Sequence, residues 1–323
     1  MKTYLSIGDF IDIAYKIQVK GWIFFQKKLQ FSAAARAKGT WDIETMPPTN
    51  WWIIPAIRRK WNQNITGDTD VPYYEYVAKH FLAGKQNLKM LVPACGTGSH
   101  ERRFLSTGKI THIEGFDLSP ICIKEAEKES QNFPQATFNY QAADAHSLSF
   151  EEDSYDIILF HSSLHHIDNM ESFIQKIKKA LKPDGIVILH DYVGPRRLHW
   201  AKEQLAAANL ALQTIPTHFR KKWKTNSLKN HIFRSGWWRM YLSDPSEAVE
   251  SDLIMPVLHK YFEVLQEKKI GGDLLHLILK DISHHFVADS QESNAILAKL
   301  FEIEAEYLAN KDMSDFMFGI YKK

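Results

Sequence analysis

The stretch LKMLVPACGTGSH, residues 88–100, runs an apolar segment straight into a turn that holds Gly96 and Gly98. An apolar run of this length, bounded by turn residues, reads as a buried strand. Glycines directly after it let the backbone reverse sharply and approach a ligand closely. Two details depart from the usual form of such a turn: no acidic residue precedes it, and Ala94 stands where a glycine is usual. Alanine keeps the turn provided that its φ is negative, and it adds one methyl group.

Outward from this turn, short apolar runs alternate with helix-patterned segments as far as Val193. The runs are KMLVP, THIEGFD, ATFNYQA, YDIILFHSS and GIVILHDYV, and the segments between them are long enough to hold crossover helices. Strands alternating with helices predict an α/β fold, a doubly wound and mostly parallel sheet with helices on both faces. YFEVLQEKK and SDFMFGIYKK supply a sixth and a seventh strand. Residues 1–87 are expected to form a helical N-terminal cap over the ligand region, interrupted at MPPTNWW, where Pro47 and Pro48 stop any helix. Residues 88–323 are then one sheet domain with helical lid insertions at about 195–259 and 273–310.

The chain has 323 residues, 45% hydrophobic and 24% charged, which is ordinary globular composition. Its two cysteines, Cys95 and Cys122, form neither a disulfide framework nor a metal-ligand pattern, so a reducing, cytoplasmic setting is expected and no metal. Asp9, Asp12 and Lys16 interrupt the N-terminal apolar residues, which excludes a signal peptide or membrane span there and leaves a soluble amphipathic helix. A net charge of +2 argues against a general nucleic-acid surface.

Nineteen positions after Gly98 comes Asp117, at the end of the second strand. A carboxylate there accepts hydrogen bonds from a ribose diol. Asp144 follows the third strand, and a polar turn beginning at His161 follows the fourth. The ordered set ACGTG, FDLS, DA and LHH resembles the class I S-adenosylmethionine-dependent methyltransferases, in particular their small-molecule branch (methyltransferase type 11/12/25-like), over residues 88–193. The resemblance implies S-adenosyl-L-methionine as cofactor. It assigns Ala94, Cys95, Gly96 and Gly98 to the glycine-rich loop, Asp117 with Leu118 to the ribose, and Asp144 with Ala145 to the adenine. His161 falls near the methionine part, followed by Ser162 and Ser163. Many members carry an acid, here replaced by Val92, that helps to hold the methionine amine; a backbone carbonyl or Asp70, Tyr73 or Tyr74 is expected to take its place.

A sulfonium methyl group is already activated, so alignment and exclusion of water are the protein's main tasks. A hydroxyl acceptor benefits from a base, and the strand-end candidates are His165, His166 and Asp191. Adjacent histidines at a strand end point in different directions, so at most one of the pair faces the substrate. The chain lacks the Asp/Asn-Pro-Pro-aromatic turn of nucleobase methylation and the acidic cluster of a magnesium site. Between Glu203 and Asp244 there is no acidic residue, while Arg220, Lys221, Lys222, Lys224, Lys229, Arg234 and Arg239 interleave with Trp223, Phe233, Trp237 and Trp238. That run suits a small-molecule or glycan acceptor of anionic character, or peripheral contact with a membrane; its plainer reading is a solvated lid. O-methylation of a small-molecule, glycan or lipid-like acceptor is the expected reaction. The alternative is a cofactor-binding or regulatory protein of the same fold without turnover.

Overall fold

The computed structural model describes residues 4–20, 49–238, 240 and 244–323; Pro47, Pro48 and Arg239 lie outside the described residues. Helix α1 spans Ile7–Lys20, α2 Pro55–Thr66 and α3 Tyr73–His80. Strand β1 (Leu88–Pro93) leads into α4 (Ser99–Phe104), and β2 (Ile110–Asp117) into α5 (Pro120–Ser130). Next come β3 (Thr137–Ala142), β4 (Tyr155–His161), α6 (Met170–Ala180) and β5 (Leu181–Tyr192). Helix α7 (Lys202–Gln213) and α8 (Ile254–Tyr261) precede β6 (Glu263–Gly271). Helices α9 (Leu275–Leu279) and α10 (Gln291–Leu308) then lead to β7 (Phe316–Lys322).

All seven expected strands form one sheet in the order β3-β2-β1-β4-β5-β7-β6. Strand β1 pairs in parallel with β2 and β4, β2 with β3, and β4 with β5. The order therefore reverses between β1 and β4, and in an open α/β sheet the ligand crevice lies at such a reversal, outside the carboxyl ends of the strands. Local chemistry sets the elements. Helix α5 starts at Ser119, whose side chain accepts from the Cys122 N–H, with Pro120 preset for the first turn. Helix α10 opens with a reciprocal cap between Ser290 and Ser293.

By its contacts the chain divides into two compact units, and this division departs from the sequence-based boundaries. The first unit comprises Met1–Trp61, Gly194–Glu247 and Ile270–Phe316; the second comprises Asn62–Val193, Ala248–Lys269 and Met317–Lys323. Residues 62–87, expected in an N-terminal cap, thus belong with the sheet. So do residues 248–259, expected in an insertion, because Ile254, Met255 and Leu258 of α8 are buried with Phe173, Ile174 and Ile177 of α6 in the core of the sheet unit. Apolar periodicity marks a helix, but it does not say which core receives the apolar face.

In the first unit Trp51 is buried against Trp61, Phe316 and His276. Beside it, the buried Glu304 of α10 accepts from the N–H groups of Gly272, Leu274 and Leu275 at 2.9–3.2 Å, closing the turn between β6 and α9. A side chain at Gly271 would meet Glu304 Oε2 at 2.6 Å, so that turn and that acid are matched. Glu304→Ala leaves three buried donors without an acceptor and should destabilise the chain by about 3 kcal/mol or more. Denaturant unfolding with an unchanged midpoint would contradict this.

Candidate active site

The loop after β1 is built from alternating left-handed residues: Ala94 has φ 50°, Gly96 56° and Gly98 72°. The condition set for Ala94, a negative φ, is therefore not met. Alanine takes the glycine conformation here, at a cost of about 1–2 kcal/mol, because the loop is fixed from both sides. Cys95 N donates to Phe116 O (3.0 Å), Gly98 N to Cys95 O (3.0 Å), and Gly96 N to Asp117 Oδ2 (3.0 Å). A side chain built at Gly98 would lie 2.5 Å from Arg102 Nη1 and 2.6 Å from Tyr140 Oη, whereas one built at Gly96 meets nothing within 4 Å. The open space above Gly96 is the kind of cradle into which a cofactor backbone fits. Val92 is buried within β1, so no acid stands at that position.

Asp117 ends β2, with Oδ2 on Gly96 N and Oδ1 accepting from Ser119 N at 2.8 Å. Burial raises its pKa above the ordinary carboxylate value, while both backbone bonds and the nearby His166 favour its charged form. Each oxygen retains acceptor capacity beyond its one backbone bond. Leu118 beside it is exposed. Asp144 is exposed after β3 and accepts from His146 N at 2.8 Å, and Ala145 packs partly onto the core. Parallel neighbouring strands thus bring Ala94, Gly96, Gly98, Asp117, Leu118, Asp144 and Ala145 to one edge of the sheet. The Cys95 thiol is buried, with its pKa raised by desolvation, which does not favour a nucleophilic thiolate.

The turn after β4 hangs on one carboxylate. Asp191, with 0% of its surface exposed, accepts from Ser163 N (2.9 Å), Leu164 N (2.7 Å), Tyr192 N (2.7 Å) and His165 Nδ1 (2.5 Å). Desolvation opposes its charge, but the His165 partner and the backbone donors outweigh it and hold the pKa below the usual value. Such an enclosed carboxylate has no role as a base toward a substrate, and the expectation that Asp191 acts as one is corrected: it positions His165. His165 and His166 lie in a short 3-10 turn, Leu164–His166, and not at a strand end. Their rings sit side by side, 4.1 Å apart.

His161 is placed differently from the sequence expectation. Its Nδ1 is 3.1 Å from Tyr73 Oη, and its ring is stacked between His100 (3.4 Å) and His190 (4.4 Å). Tyr73, expected among the substitutes for the missing acid, is committed to this bond. Asp70 is exposed. Tyr74 lines a cavity of about 440 Å³ with Ser99, Arg102 and Phe133. The sequence reading missed His100 and His190. Register was the missing signal, since His161 and His190 are direct partners across β4 and β5. It also missed Glu101, with 0% of its surface exposed beneath the loop, where Oε1 accepts from Tyr140 Oη at 3.1 Å and burial pushes the pKa up to about 7.

Residues 91–189 match the methyltransferase domain family. That span is a class I S-adenosylmethionine-dependent methyltransferase domain. A demethylmenaquinone methyltransferase of Tropheryma whipplei (strain Twist) is 28% identical over 109 residues, 34% of this chain and 44% of that protein. Phosphoethanolamine N-methyltransferase 2 of Caenorhabditis elegans is 28% identical over 116 residues, 36% of this chain and 26% of that protein. The chain therefore spans less than half the length of these two relatives. Among solved structures, Haemonchus contortus phosphoethanolamine N-methyltransferase 2 in complex with S-adenosyl-L-methionine aligns with a TM-score of 0.48 and 17% identity, covering 93% of this chain and 59% of that one.

The three imidazoles have a measurable consequence. Burial lowers the pKa of His100 from 6.5 to about 3 and that of His190 to about 4, and it holds His161 well below 6.5. Each is neutral when folded, whereas the unfolded chain protonates them below its ordinary histidine pKa. The stability they contribute is therefore complete above 6.5 and lost as pH falls toward the folded values. The loss amounts to up to about 1.4 kcal/mol per pH unit for each ring. Unfolding free energy measured from pH 7 to 4.5 should fall steeply, and more shallowly in His100→Phe; equal slopes would contradict the stack's neutrality.

Proposed function

We propose that the protein methylates a hydroxyl oxygen of a small or lipid-like acceptor. S-adenosylmethionine, when bound, supplies the activated methyl group. The backbone of Ala94, Cys95, Gly96 and Gly98 would line its site, Asp117 would accept from its ribose, and Leu118, Asp144 and Ala145 would border its adenine. The observation that carries the reading is the His165–Asp191 pair. A proton on Nδ1, donated to Asp191, leaves Nε2 as the basic nitrogen, so the carboxylate selects the tautomer that can take a proton from an acceptor. The buried charge of Asp191 also stabilises the imidazolium that results. His166, beside this ring and close enough to Asp117 to favour its charge, would border both cofactor and acceptor.

A lipid-like acceptor is favoured by what the relatives are named for. They include a demethylmenaquinone methyltransferase, a probable phthiotriol/phenolphthiotriol dimycocerosates methyltransferase of Mycobacterium ulcerans and a sterol 24-C-methyltransferase of Candida albicans. The alternative of a protein without turnover drew on Val92 and Ala94. The second of these loses force, because Ala94 keeps the glycine conformation.

Two measurements test the proposal. Asp117→Asn should weaken S-adenosylmethionine binding about 10-fold or more, as a charged hydrogen-bond acceptor is lost. Calorimetry showing unchanged affinity in a folded variant would sink the ribose assignment. With an acceptor found by following S-adenosylhomocysteine release, His165→Ala should lower kcat by about 100-fold and abolish the acidic limb of its pH profile. Retention of both would mean that the acceptor needs no base, as a carboxylate would not.

A further inference from the structure

Helix α1 is amphipathic in the inverted sense. Its polar side faces the first unit: Asp9, 2% exposed, accepts from Gly236 N at 2.9 Å and Ser6 N at 2.8 Å. Gly8 abuts Phe233 so closely that a side chain there would meet Phe233 Cβ at 2.3 Å. About two turns further along, Tyr15 Oη donates to Trp223 O at 3.2 Å. Opposite this seam, at helical spacing, Ile7 is 72% exposed and Phe10 65%, with Ile11 on the same stripe. Tyr4, Leu5 and Trp238 extend the exposed apolar surface, and Trp238 N donates to Tyr4 O at 3.3 Å. A surface helix ordinarily buries its apolar stripe against its own core. Here an acid takes the buried side and isoleucine and phenylalanine the outer one, which leaves an apolar patch of the kind that marks a contact surface.

A lysine-rich hairpin adjoins this helix. Lys222 N donates to Ser227 O at 2.9 Å, Lys221 bridges Leu228, and Trp223 N donates to Asp281 O at 3.1 Å. The hairpin is anchored at its base by the buried Lys229, whose Nζ donates to Leu277 O (2.7 Å) and Lys280 O (2.6 Å). Lys222 Nζ lies over the Tyr15 ring, 4.9 Å from its centre, which joins the hairpin to α1 directly. Lys221, Lys222 and Lys224 line an open cavity of about 370 Å³ together with Trp223, Thr225 and His284. No acidic residue occurs between Glu203 and Asp244, so the segment that carries this hairpin is basic throughout.

We infer that α1 and this hairpin form a docking surface for an anionic phospholipid bilayer, with Ile7, Phe10 and Ile11 entering the headgroup and acyl boundary while Lys221, Lys222 and Lys224 meet the lipid phosphates. Exposed isoleucine and phenylalanine on one helical stripe supply the apolar insertion, and the adjoining cations supply the preference for negative charge. No helix among the described residues is long and apolar enough to cross a membrane, so this attachment lies on the surface of the bilayer. The inference is independent of the methyl acceptor's identity.

The full chain, mixed with phosphatidylcholine vesicles containing about 30% phosphatidylglycerol, should co-sediment with them, and binding should weaken as salt rises. Pure phosphatidylcholine vesicles should retain about ten-fold less protein. The pair Ile7→Ser with Phe10→Ser, and separately Lys221→Gln with Lys224→Gln, should each lower the partition coefficient by about ten-fold or more. All four side chains replaced are exposed or at the hairpin surface, and unchanged thermal unfolding would confirm that the variants fold. Three results would overturn the inference. The first is binding that ignores both pairs of substitutions. The second is self-association that rises with protein concentration and disappears in the Ile7/Phe10 variant without any vesicle binding, which would make the stripe a contact for a second copy. The third is full competition by millimolar inorganic phosphate with the Ile7/Phe10 variant still binding, which would make the hairpin a site for small anions.

Discussion

Asp191 carries a charge that burial would expel if nothing compensated it. Its stability at the end of β5 comes from backbone donors on the neighbouring turn, from its own chain and from the His165 ring. Each of those donors is in turn positioned by the carboxylate, so neither side is arranged without the other. Without this acceptor the N–H groups of Ser163 and Leu164 and the Nδ1 of His165 would lose the partner they share. Fully satisfied buried polar groups impose one geometry because every alternative leaves a donor or a charge unpaired.

The same device recurs with different partners. Asp117 fastens the glycine loop through Gly96 N, Glu304 closes the turn before α9, and Asp9 locks α1 onto the irregular segment at Gly236. In each case a side-chain oxygen does for an irregular stretch of backbone what a neighbouring strand does for a regular one. Loops that carry function lie outside the sheet ladder, and acids from adjacent elements take over the accounting of their N–H groups.

Much of this was legible in the sequence. The seven strands are apolar runs with clear borders, and the loop, Asp117 and Asp144 follow from spacing along a repeating strand-helix pattern. What escaped depends on relations that a linear pattern does not encode. The stack of His100, His161 and His190 requires the register of β4 against β5, which sequence leaves open by several residues. The conformation of Ala94 is imposed by bonds to β2, against its own preference. Asp191 looked like a candidate base because a strand-end acid usually is accessible; its enclosure arises from the turn after β4, a neighbour in space and not in sequence. The allegiance of α8 to the sheet unit was hidden for the same reason.

The connectivity has a consequence for how the chain reaches this state. It passes from one unit to the other after Trp61, Val193, Glu247, Lys269 and Phe316, and β7 lies between β5 and β6 in the sheet. A chain emerging from the ribosome makes β6 before its neighbour exists, so β6 waits as an unpaired edge until residues beyond Phe316 arrive. During that interval β5 and β6 both expose hydrogen-bonding edges that other chains can use. Closing of the sheet thus waits on a long-range pairing, and β5 and β6 stay open to mispairing until β7 is inserted between them.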